Sequence, residues 1–311
     1  DTPAALTVPE AIIREEGPLE PHAYYRNKSL NSRVVGFDPE PEEHLRRVEA
    51  AIGTIETSKL DKVILARAVD IEFPEAIDPR LVAARLIDLS ANRDGFIADL
   101  SPAGRPGAML VGSSPEVLVK RQGSTVSAFP LAGSSPRRAT AAEDHIAGQD
   151  LLHSAKDLHE HSFVVEHLRR VLSPLCERLD IPDAPQLIST NEMWHLGTPI
   201  SGTLKDKDLT ALELALAAHP TPAICGTPAE AAQALIETAE TDRGFYAGAV
   251  GWCDSSGDGE YMVAIRCAEV AGDGLSARAW AGGGIVGDSD AQAELEETTA
   301  KLRTILKALS L

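Results

Sequence analysis

The chain has 311 residues and a formal net charge of −18, with 29 Lys and Arg against 47 Asp and Glu. Nucleic-acid-binding proteins need a basic face, so this charge balance argues against a nucleic-acid partner. No apolar run reaches the roughly 18 residues that a membrane-spanning helix needs, and the four cysteines form no CxxC pair. We therefore expect a soluble cytoplasmic protein with no membrane partner. Residues 1–13 carry neither a signal-peptide pattern nor an initiator Met, so we expect some N-terminal chain to be missing.

The spacing of apolar residues predicts helices and short strands along the chain. A helical period is found in residues 40–59, 79–91, 142–175, 210–219, 229–240 and 289–309. Alternation or runs of Val and Ile predict strands at 61–73, 95–100, 107–114, 116–123, 124–133, 244–254, 260–270 and 275–286. Asp258 and Gly259 predict a hairpin turn, and Ser289 is the predicted N-cap of the last helix.

The order of these elements indicates the fold class. Tight turns between successive strands predict mostly antiparallel sheet, and the helices occupy the longer connections. Strand runs occur both early and late in the chain, without a change in composition that separates them. We therefore predict an α+β fold and a single domain over residues 1–311.

Two acidic helices could form half of a cation site. In AELEETTAKL, residues 293–302, Glu294 and Glu297 lie three apart and share one helix face. One interpretation is a solvated face with a Glu297–Lys301 pair. The other is a site for Mg²⁺, completed by Glu160 of the helix KDLHEH, since hard cations prefer a few carboxylates and open positions. A zinc site at His159 and His161 is not expected, because residues two apart point away from each other on a helix.

Three further features could carry chemistry, each beside a simpler interpretation. Alternation in residues 260–270 places Arg266 on a strand face among small apolar residues, where it would bind a carboxylate or reach solvent at an edge. The glycines of AGGGIV, residues 281–286, could receive a carboxylate on the backbone or mark a bulge. Lys62 is a candidate base if it faces inward, and Glu116 a candidate acid in an apolar setting, or both mark strand ends.

The order of short motifs resembles that of the chorismate-utilising enzymes, in particular isochorismate synthases of siderophore and menaquinone pathways. The motifs that carry the resemblance are LDKVILARA, LVGSSPEVLV, FPLAGS, KDLHEH, WHLGTPISG, HPTPAICG, GAVGWCDSSGDGEYMVAIRCA, AGGGIV and ELEETTAKL. They extend from about Asp61 to the C-terminus. The resemblance implies an α/β sandwich in which two large, mostly antiparallel sheets pack together with helices outside.

The resemblance also implies an activity and roles for individual residues. The reaction is a Mg²⁺-dependent isomerisation in which water adds at C2 of chorismate and the C4 hydroxyl leaves. By motif position, Lys62 is the general base and Glu116 the general acid. The residues implied for Mg²⁺ are Glu160, Glu294 and Glu297. The residues implied for the substrate are Gly133, Ser134, His195, Tyr246, Arg266, Gly282, Gly284 and Lys301.

Relatives on this fold make isochorismate, salicylate, anthranilate or aminodeoxychorismate. HPTPAICG and Lys62 favour isochorismate, because the ammonia-using relatives carry a PAGTVSGAPK-like stretch and a different residue in the region of the base. A salicylate synthase, which also eliminates pyruvate, is the alternative. A metal-dependent hydrolase on the Glu/His helix and a catalytically inactive binding module are the other classes considered. We expect a monomer, since the sequence shows no coiled coil.

Overall fold

The computed structural model describes residues 3–13, 29–90 and 95–311. A seven-stranded sheet has the order β1-β2-β16-β15-β4-β3, and β12 adds to β2. Its strands are β1 (Arg33–Asp38), β2 (Lys62–Glu72), β3 (Phe96–Asp99), β4 (Met109–Gly112), β12 (Gly226–Thr227), β15 (Cys267–Val270) and β16 (Ser276–Ile285). β2 and β16 pair without a register shift from Val63 to Glu72, and they form the long centre of the sheet.

Two further sheets complete the β-structure of the described residues. A six-stranded sheet, ordered β13-β14-β5-β6-β11-β8, contains β5 (Val117–Gln122), β6 (Thr125–Phe129), β8 (Cys176–Asp180), β11 (Ile200–Leu204), β13 (Ala249–Cys253) and β14 (Gly259–Val263). A three-stranded sheet, ordered β7-β10-β9, contains β7 (Leu131–Pro136), β9 (Gln186–Ser189) and β10 (Met193–Gly197). Every strand pair in the described ranges is antiparallel, as predicted.

The helices of the described ranges lie mostly in the connections between strands. They are α1 (Pro41–Thr57), α2 (Pro79–Leu89), α3 (Ala141–His153), α4 (Ala155–Leu172), α5 (Ala211–Ala218), α6 (Ala229–Ala239) and α7 (Ala291–Ala308). The helical period over 142–175 predicts one helical region, but the structure divides it at Ser154. The Ser154 hydroxyl accepts the amide hydrogen of Asp157, so this residue caps α4 and ends the preceding helix.

The main hydrophobic core lies between the two larger sheets. Ala68, Leu110 and Trp280 of the seven-stranded sheet belong to the same buried cluster as Leu118 and Val126 of the six-stranded sheet. The two large sheets therefore pack together as predicted. The three-stranded sheet was not predicted, and it continues from the six-stranded one because β6 and β7 are separated by Pro130 alone.

The other face of the seven-stranded sheet is covered by helices. Val69 and Ile71 of β2 pack in one buried cluster with Leu86 of α2 and Ile305 of α7. Burying a side chain of this size stabilises the fold by about 1.5–3 kcal/mol. This packing anchors α7 beside β16 and holds the helix's acidic first half at the end of that strand. None of the helices described is long and apolar enough to cross a membrane.

Two local predictions are wrong. Residues 260–270 do not form one strand, because β14 ends at Val263 and β15 begins at Cys267 in the other large sheet. Arg266 lies in the crossing between them with φ +52°, a left-handed conformation, and so does not share a strand face with Met262. The N-cap of α7 is Asp290, whose carboxylate accepts the amide hydrogen of Ala293, and not Ser289.

Candidate active site

A cleft opens beside β2 and β16 at the edge of the main core. About 660 Å³ of space between the atoms, part of it open to solvent, lies within the cleft. Ten of the residues implied by the resemblance line this cleft: Glu116, Gly133, Ser134, Glu160, His195, Tyr246, Arg266, Gly282, Gly284 and Lys301. Glu294 and Glu297 line an adjoining open cleft, which shares Ser134 with the first.

Lys62 is fully buried at the start of β2. Its Nζ lies 3.1 Å from Glu160 Oε1, an ion pair whose geometry is not that of a hydrogen bond. Lys62 does not line the cleft, but its Cε lies 3.1 Å from the position that a Cβ on Gly284 would take. Lys62 is both the first residue of β2 and an inward-facing side chain, and its amine lies just behind the cleft wall.

Glu116 precedes β5 and is 3% exposed. Burial raises the pKa of its carboxyl group to about 7, against the lowering effects of a hydrogen bond from the Leu131 amide and the charge of Lys62. A carboxyl with this pKa retains its proton over a large part of the neutral range. Glu116 can therefore donate a proton in the cleft, as the sequence interpretation requires of a general acid.

Three glutamates and three lysines form pairs around the junction of the two clefts. Glu160 faces Lys62, Glu294 Oε1 accepts a hydrogen bond from Lys156 at 2.8 Å, and Glu297 accepts one from Lys301. Burial and repulsion from Glu297 raise the pKa of Glu294. Burial also acts to raise the pKa of Glu297, but the charges of Lys301 and Lys156, with the hydrogen bond from Lys301, contribute to a net lowering. The lysines thus neutralise a cluster of carboxylates that would otherwise repel one another.

The carboxylates offer donors to a hard cation. Glu294 Oε2 is buried and has no hydrogen-bond partner in the part of the chain described here, so it retains an uncommitted acceptor. Glu294, Glu297 and Glu160 supply only oxygen donors, which is the donor type that Mg²⁺ prefers. Among residues 3–13, 29–90 and 95–311, however, no three His, Cys, Asp or Glu already converge as a metal cage. The three carboxylates therefore offer the donor type that Mg²⁺ prefers, and each of them is paired with a lysine.

The glycine run of β16 provides clearance for these carboxylates. A Cβ on Gly284 would lie 2.0 Å from Glu160 Oε1, and one on Gly283 would lie 3.0 Å from Glu294 Oε2. The strand keeps its register with β2 through all three glycines, so the interpretation of the run as a bulge is wrong. Because Gly283 and Gly284 have no side chains, Glu294 and Glu160 can approach the backbone of this strand closely.

We expect Gly284→Ala to weaken divalent-cation binding at least tenfold, because the new methyl group would displace Glu160 and press on Lys62. Titration of the folded variant with Mn²⁺, followed by the electron paramagnetic resonance of free Mn²⁺, would measure this change without substrate. Gly287→Ala is the matched control, since its Cβ would make only an ordinary contact at 3.8 Å with Ile55. Equal affinities for the two variants would contradict this role of Gly284.

Aromatic and cationic groups also line the cleft. Arg266 is 5% exposed, and its Nη2 lies 3.3 Å from His195 Nε2. Burial and the charge of Arg266 hold the pKa of His195 well below its ordinary value, so the neutral ring can accept this hydrogen bond. Burial lowers the pKa of Arg266 to about 10, which still leaves it charged at neutral pH. Tyr246 stacks on Trp280 with 5.9 Å between ring centres.

The histidines of α4 do not form a metal site. His159 is exposed and contacts the Phe163 ring, whereas His161 is buried on the opposite side of the helix. The two ring nitrogens of His161 lie 3.1 Å from Ala132 O and 2.7 Å from Thr198 Oγ1. His161 was considered only for a zinc site, and its role in fixing the β7 wall of the cleft was not predicted. Its burial could have been expected from the period of Leu168 and Val164.

Cleft and charges together define a site for a small anionic molecule, and the chain belongs to the chorismate binding enzyme family, whose sequence model matches residues 11–310. It is 46% identical to the putative isochorismate synthase MenF of Mycobacterium tuberculosis, covering 99% of this chain and 83% of that protein. It is 43% identical to the isochorismate synthase DhbC of Bacillus subtilis, over 98% of this chain and 77% of that one.

A solved structure has the same fold. The putative 2,3-dihydroxybenzoate-specific isochorismate synthase DhbC of Bacillus anthracis superposes with a TM-score of 0.87 and 40% identity. The match covers 91% of this chain and 75% of that chain. The predicted fold class, with its large antiparallel sheets and outer helices, is thereby confirmed.

Proposed function

We propose that this protein is an isochorismate synthase, an isomerase that converts chorismate to isochorismate. The observation that carries the proposal is the placement of a buried lysine, Lys62, behind the wall of a cleft that holds a buried carboxyl of raised pKa, Glu116. The relatives named as isochorismate synthases, at 43% and 46% identity over nearly the whole chain, support the same activity.

In this proposal Lys62 and Glu116 move protons in opposite directions. Lys62, in its neutral form, accepts a proton from the water that adds at C2. The ring double bonds shift, the C4–oxygen bond breaks, and Glu116 donates its proton to the leaving hydroxyl. A base and an acid on the two sides of the substrate would supply both transfers, and general acid–base catalysis of this kind typically contributes about 10²–10⁴-fold each.

Binding of the dianionic substrate is assigned to the cations of the cleft. Arg266, beside neutral His195 and near Tyr246, holds the side-chain carboxylate through its guanidinium fork. Lys301 and the backbone around Gly133, Ser134 and Gly282 face the ring carboxylate. We assign Mg²⁺ to Glu160, Glu294 and Glu297, where it would supply positive charge to that ring carboxylate.

The wider setting is part of the proposal. Residues 1–311 act as one chorismate-binding domain and as a monomer, with no nucleic-acid partner. All four cysteines carry free thiols, which suits the reducing cytoplasm. The product enters siderophore or menaquinone biosynthesis.

Incubation with chorismate and Mg²⁺, followed by chromatographic separation of the products, tests the activity. We expect isochorismate as the only new compound, and none in the presence of EDTA. Salicylate and pyruvate in equal amounts would instead assign the protein as a salicylate synthase. Unchanged chorismate under all conditions would reject the proposed function.

A further inference from the structure

The outer edge of β2 is interrupted next to the cleft. One edge of this strand pairs with β16 over its length, and the other edge pairs with β1 from Ala68 to Glu72 and with β12 at Lys62 and Val63. Between these two partners, residues 64–67 have no strand neighbour on that edge in the described part of the chain. Backbone groups here need another source of hydrogen bonds, since an unpaired buried amide or carbonyl is costly.

Two side chains from beyond α6 fill this gap. Glu240 Oε1 accepts the amide hydrogen of Ala66 at 2.7 Å, and Arg243 Nη2 donates to the carbonyl of Ile64 at 2.8 Å. Glu240 and Arg243 also form a forked ion pair, with Nε–Oε2 and Nη2–Oε1 distances of 2.6 and 2.8 Å. These two side chains therefore supply the backbone hydrogen bonds that a neighbouring strand would make to β2. The first bonded residue, Ile64, lies two residues beyond Lys62.

The same arginine ties two walls of the cleft to that strand. Arg243 Nη1 donates to the carbonyl of Ile224 at 2.9 Å, while the amide of Ile64 donates to Cys225 O at 2.8 Å. The Arg243 carbonyl accepts the amide hydrogen of Tyr246 at 3.0 Å. Ile64, Ile224 and Tyr246 all line the cleft. The guanidinium group of Arg243 thus connects the strand of Lys62 with the HPTPAICG loop, and the backbone carbonyl of the same residue holds the tyrosine segment.

The side chains of Glu240 and Arg243 are largely shielded from solvent, and both are hydrogen-bonded to each other and to the backbone. The side chains of Glu240 and Arg243 are 6% and 14% exposed. Burial lowers the pKa of Arg243, but the hydrogen bond and charge of Glu240 outweigh it and raise that pKa above its ordinary value. The group is therefore permanently charged, and a point cation such as the lysine ammonium cannot reproduce its fork of donors in three directions.

We propose that Glu240 and Arg243 are positioning residues, which set the location of Lys62 relative to the Ile224 and Tyr246 walls of the cleft. Neither residue lines the cleft, so neither contacts the substrate. The proposal rests on the proposed function for its kinetic consequence, but its structural part stands alone. A displacement of about 1 Å in a catalytic group can cost about 100-fold in rate, so a loosened β2 edge lowers turnover while binding persists.

The test compares Arg243→Lys with Arg121→Lys. Arg121, whose side chain is 5% exposed, is the more deeply buried of the two arginines and donates to Asp258 and to the carbonyls of Ser256 and Lys207, in a turn away from the cleft. Both variants lose a buried fork and should lose thermal stability. We expect kcat on chorismate to fall at least tenfold in Arg243→Lys, with KM changed less than threefold, and both constants to stay within twofold of wild type in Arg121→Lys.

Amide hydrogen exchange measures the structural part without substrate. We expect faster exchange in peptides covering residues 62–67 of Arg243→Lys and unchanged exchange in residues 68–72, which stay paired on both edges. Glu240→Asp, which keeps the charge but withdraws the carboxylate from Ala66, should show the same pattern in a folded protein.

Equal kcat values for the two lysine variants, or unchanged exchange in residues 62–67, would overturn the positioning role. Wild-type protein that leaves chorismate unchanged would instead reject the proposed function, and the exchange result would still decide whether the pair holds β2.

Discussion

Replacing Lys62 with alanine is expected to lower kcat on chorismate by about 10²–10⁴-fold, the usual contribution of a general base. The lysine is fully buried beside Glu160, and the lysine that lines the cleft, Lys301, already has other partners. The amine of Lys301 donates hydrogen bonds to Glu297 and to the carbonyl of Gly282. Steady-state rates, with isochorismate quantified by chromatography, measure the effect.

Chorismate binding should survive this change, because the substrate carboxylates are assigned to Arg266, Lys301 and Mg²⁺. Isothermal titration of the variant with chorismate should give an affinity within about fivefold of wild type. Lys59→Ala is the matched control, since Lys59 is exposed just before the same strand. If Lys62→Ala turned over chorismate as fast as Lys59→Ala, Lys62 would be removed from the mechanism.

The second large effect is expected for Glu116→Gln. Glutamine keeps the shape of the buried side chain but cannot release a proton to the leaving hydroxyl, so kcat should fall by about 10²–10⁴-fold. Substrate affinity should remain near wild type, as measured by titration. Glu177→Gln, at an exposed position on β8, is the control and should keep full activity. Retained turnover in Glu116→Gln would exclude the carboxyl as the general acid.

The raised pKa of Glu116 also predicts a pH dependence. The acid must be protonated, so kcat/KM of wild type should decline as the pH rises through about 7, the pKa of Glu116 in the free enzyme. Bound anionic substrate should favour the protonated carboxyl, so the decline of kcat should occur at a higher pH than the decline of kcat/KM. The pH profiles of kcat/KM for wild type and Glu116→Gln should therefore differ in shape. If the two profiles had the same shape, with no decline in wild type near pH 7, this assignment would be contradicted.

Linkage gives the same carboxyl a measurable effect on stability. The folded-state pKa of about 7 lies above the ordinary 4.5, so the native state binds this proton more tightly than the unfolded chain. The stabilisation is complete below pH 4.5 and is lost as the pH rises through 7, a loss of about 3 kcal/mol. Glu116→Gln should therefore be more stable than wild type at pH 8.5 and lose that advantage at pH 5.

Much of the fold could be predicted from local patterns. The long apolar run of β2, the alternation of β16 and the helical period of α7 each carry their own signal, and the order of the short motifs indicated the family. The strands from β8 to β11 were missed, because the segment around Trp194 and His195 mixes polar and glycine residues and lacks a clear period. β10 and β11 pair with β7 and β6, and β9 and β8 pair in turn with β10 and β11. Such pairing depends on residues distant in sequence and leaves no local pattern.

The candidate site could likewise be predicted only in part from the sequence. Glu294 and Glu297 could be placed on one helix face from their spacing alone, and Lys301 beside Glu297 from the i,i+4 rule. The partner of Glu294, however, is Lys156 on another helix, and sequence spacing carries no information on that contact. Arg266 illustrates a further limit. Alternation placed it on a strand, whereas the chain leaves one sheet for the other at this residue and turns left-handed there.

The origin of the new hydroxyl in isochorismate tests the central claim most directly. Wild-type protein, chorismate and Mg²⁺ are combined in water enriched in ¹⁸O, and the product of the first turnovers is analysed by mass spectrometry. Water addition with Lys62 as base and Glu116 as acid predicts isochorismate that carries one ¹⁸O at C2. Isochorismate without the label would contradict the proposed mechanism, because the C4 hydroxyl would then have been transferred within the substrate.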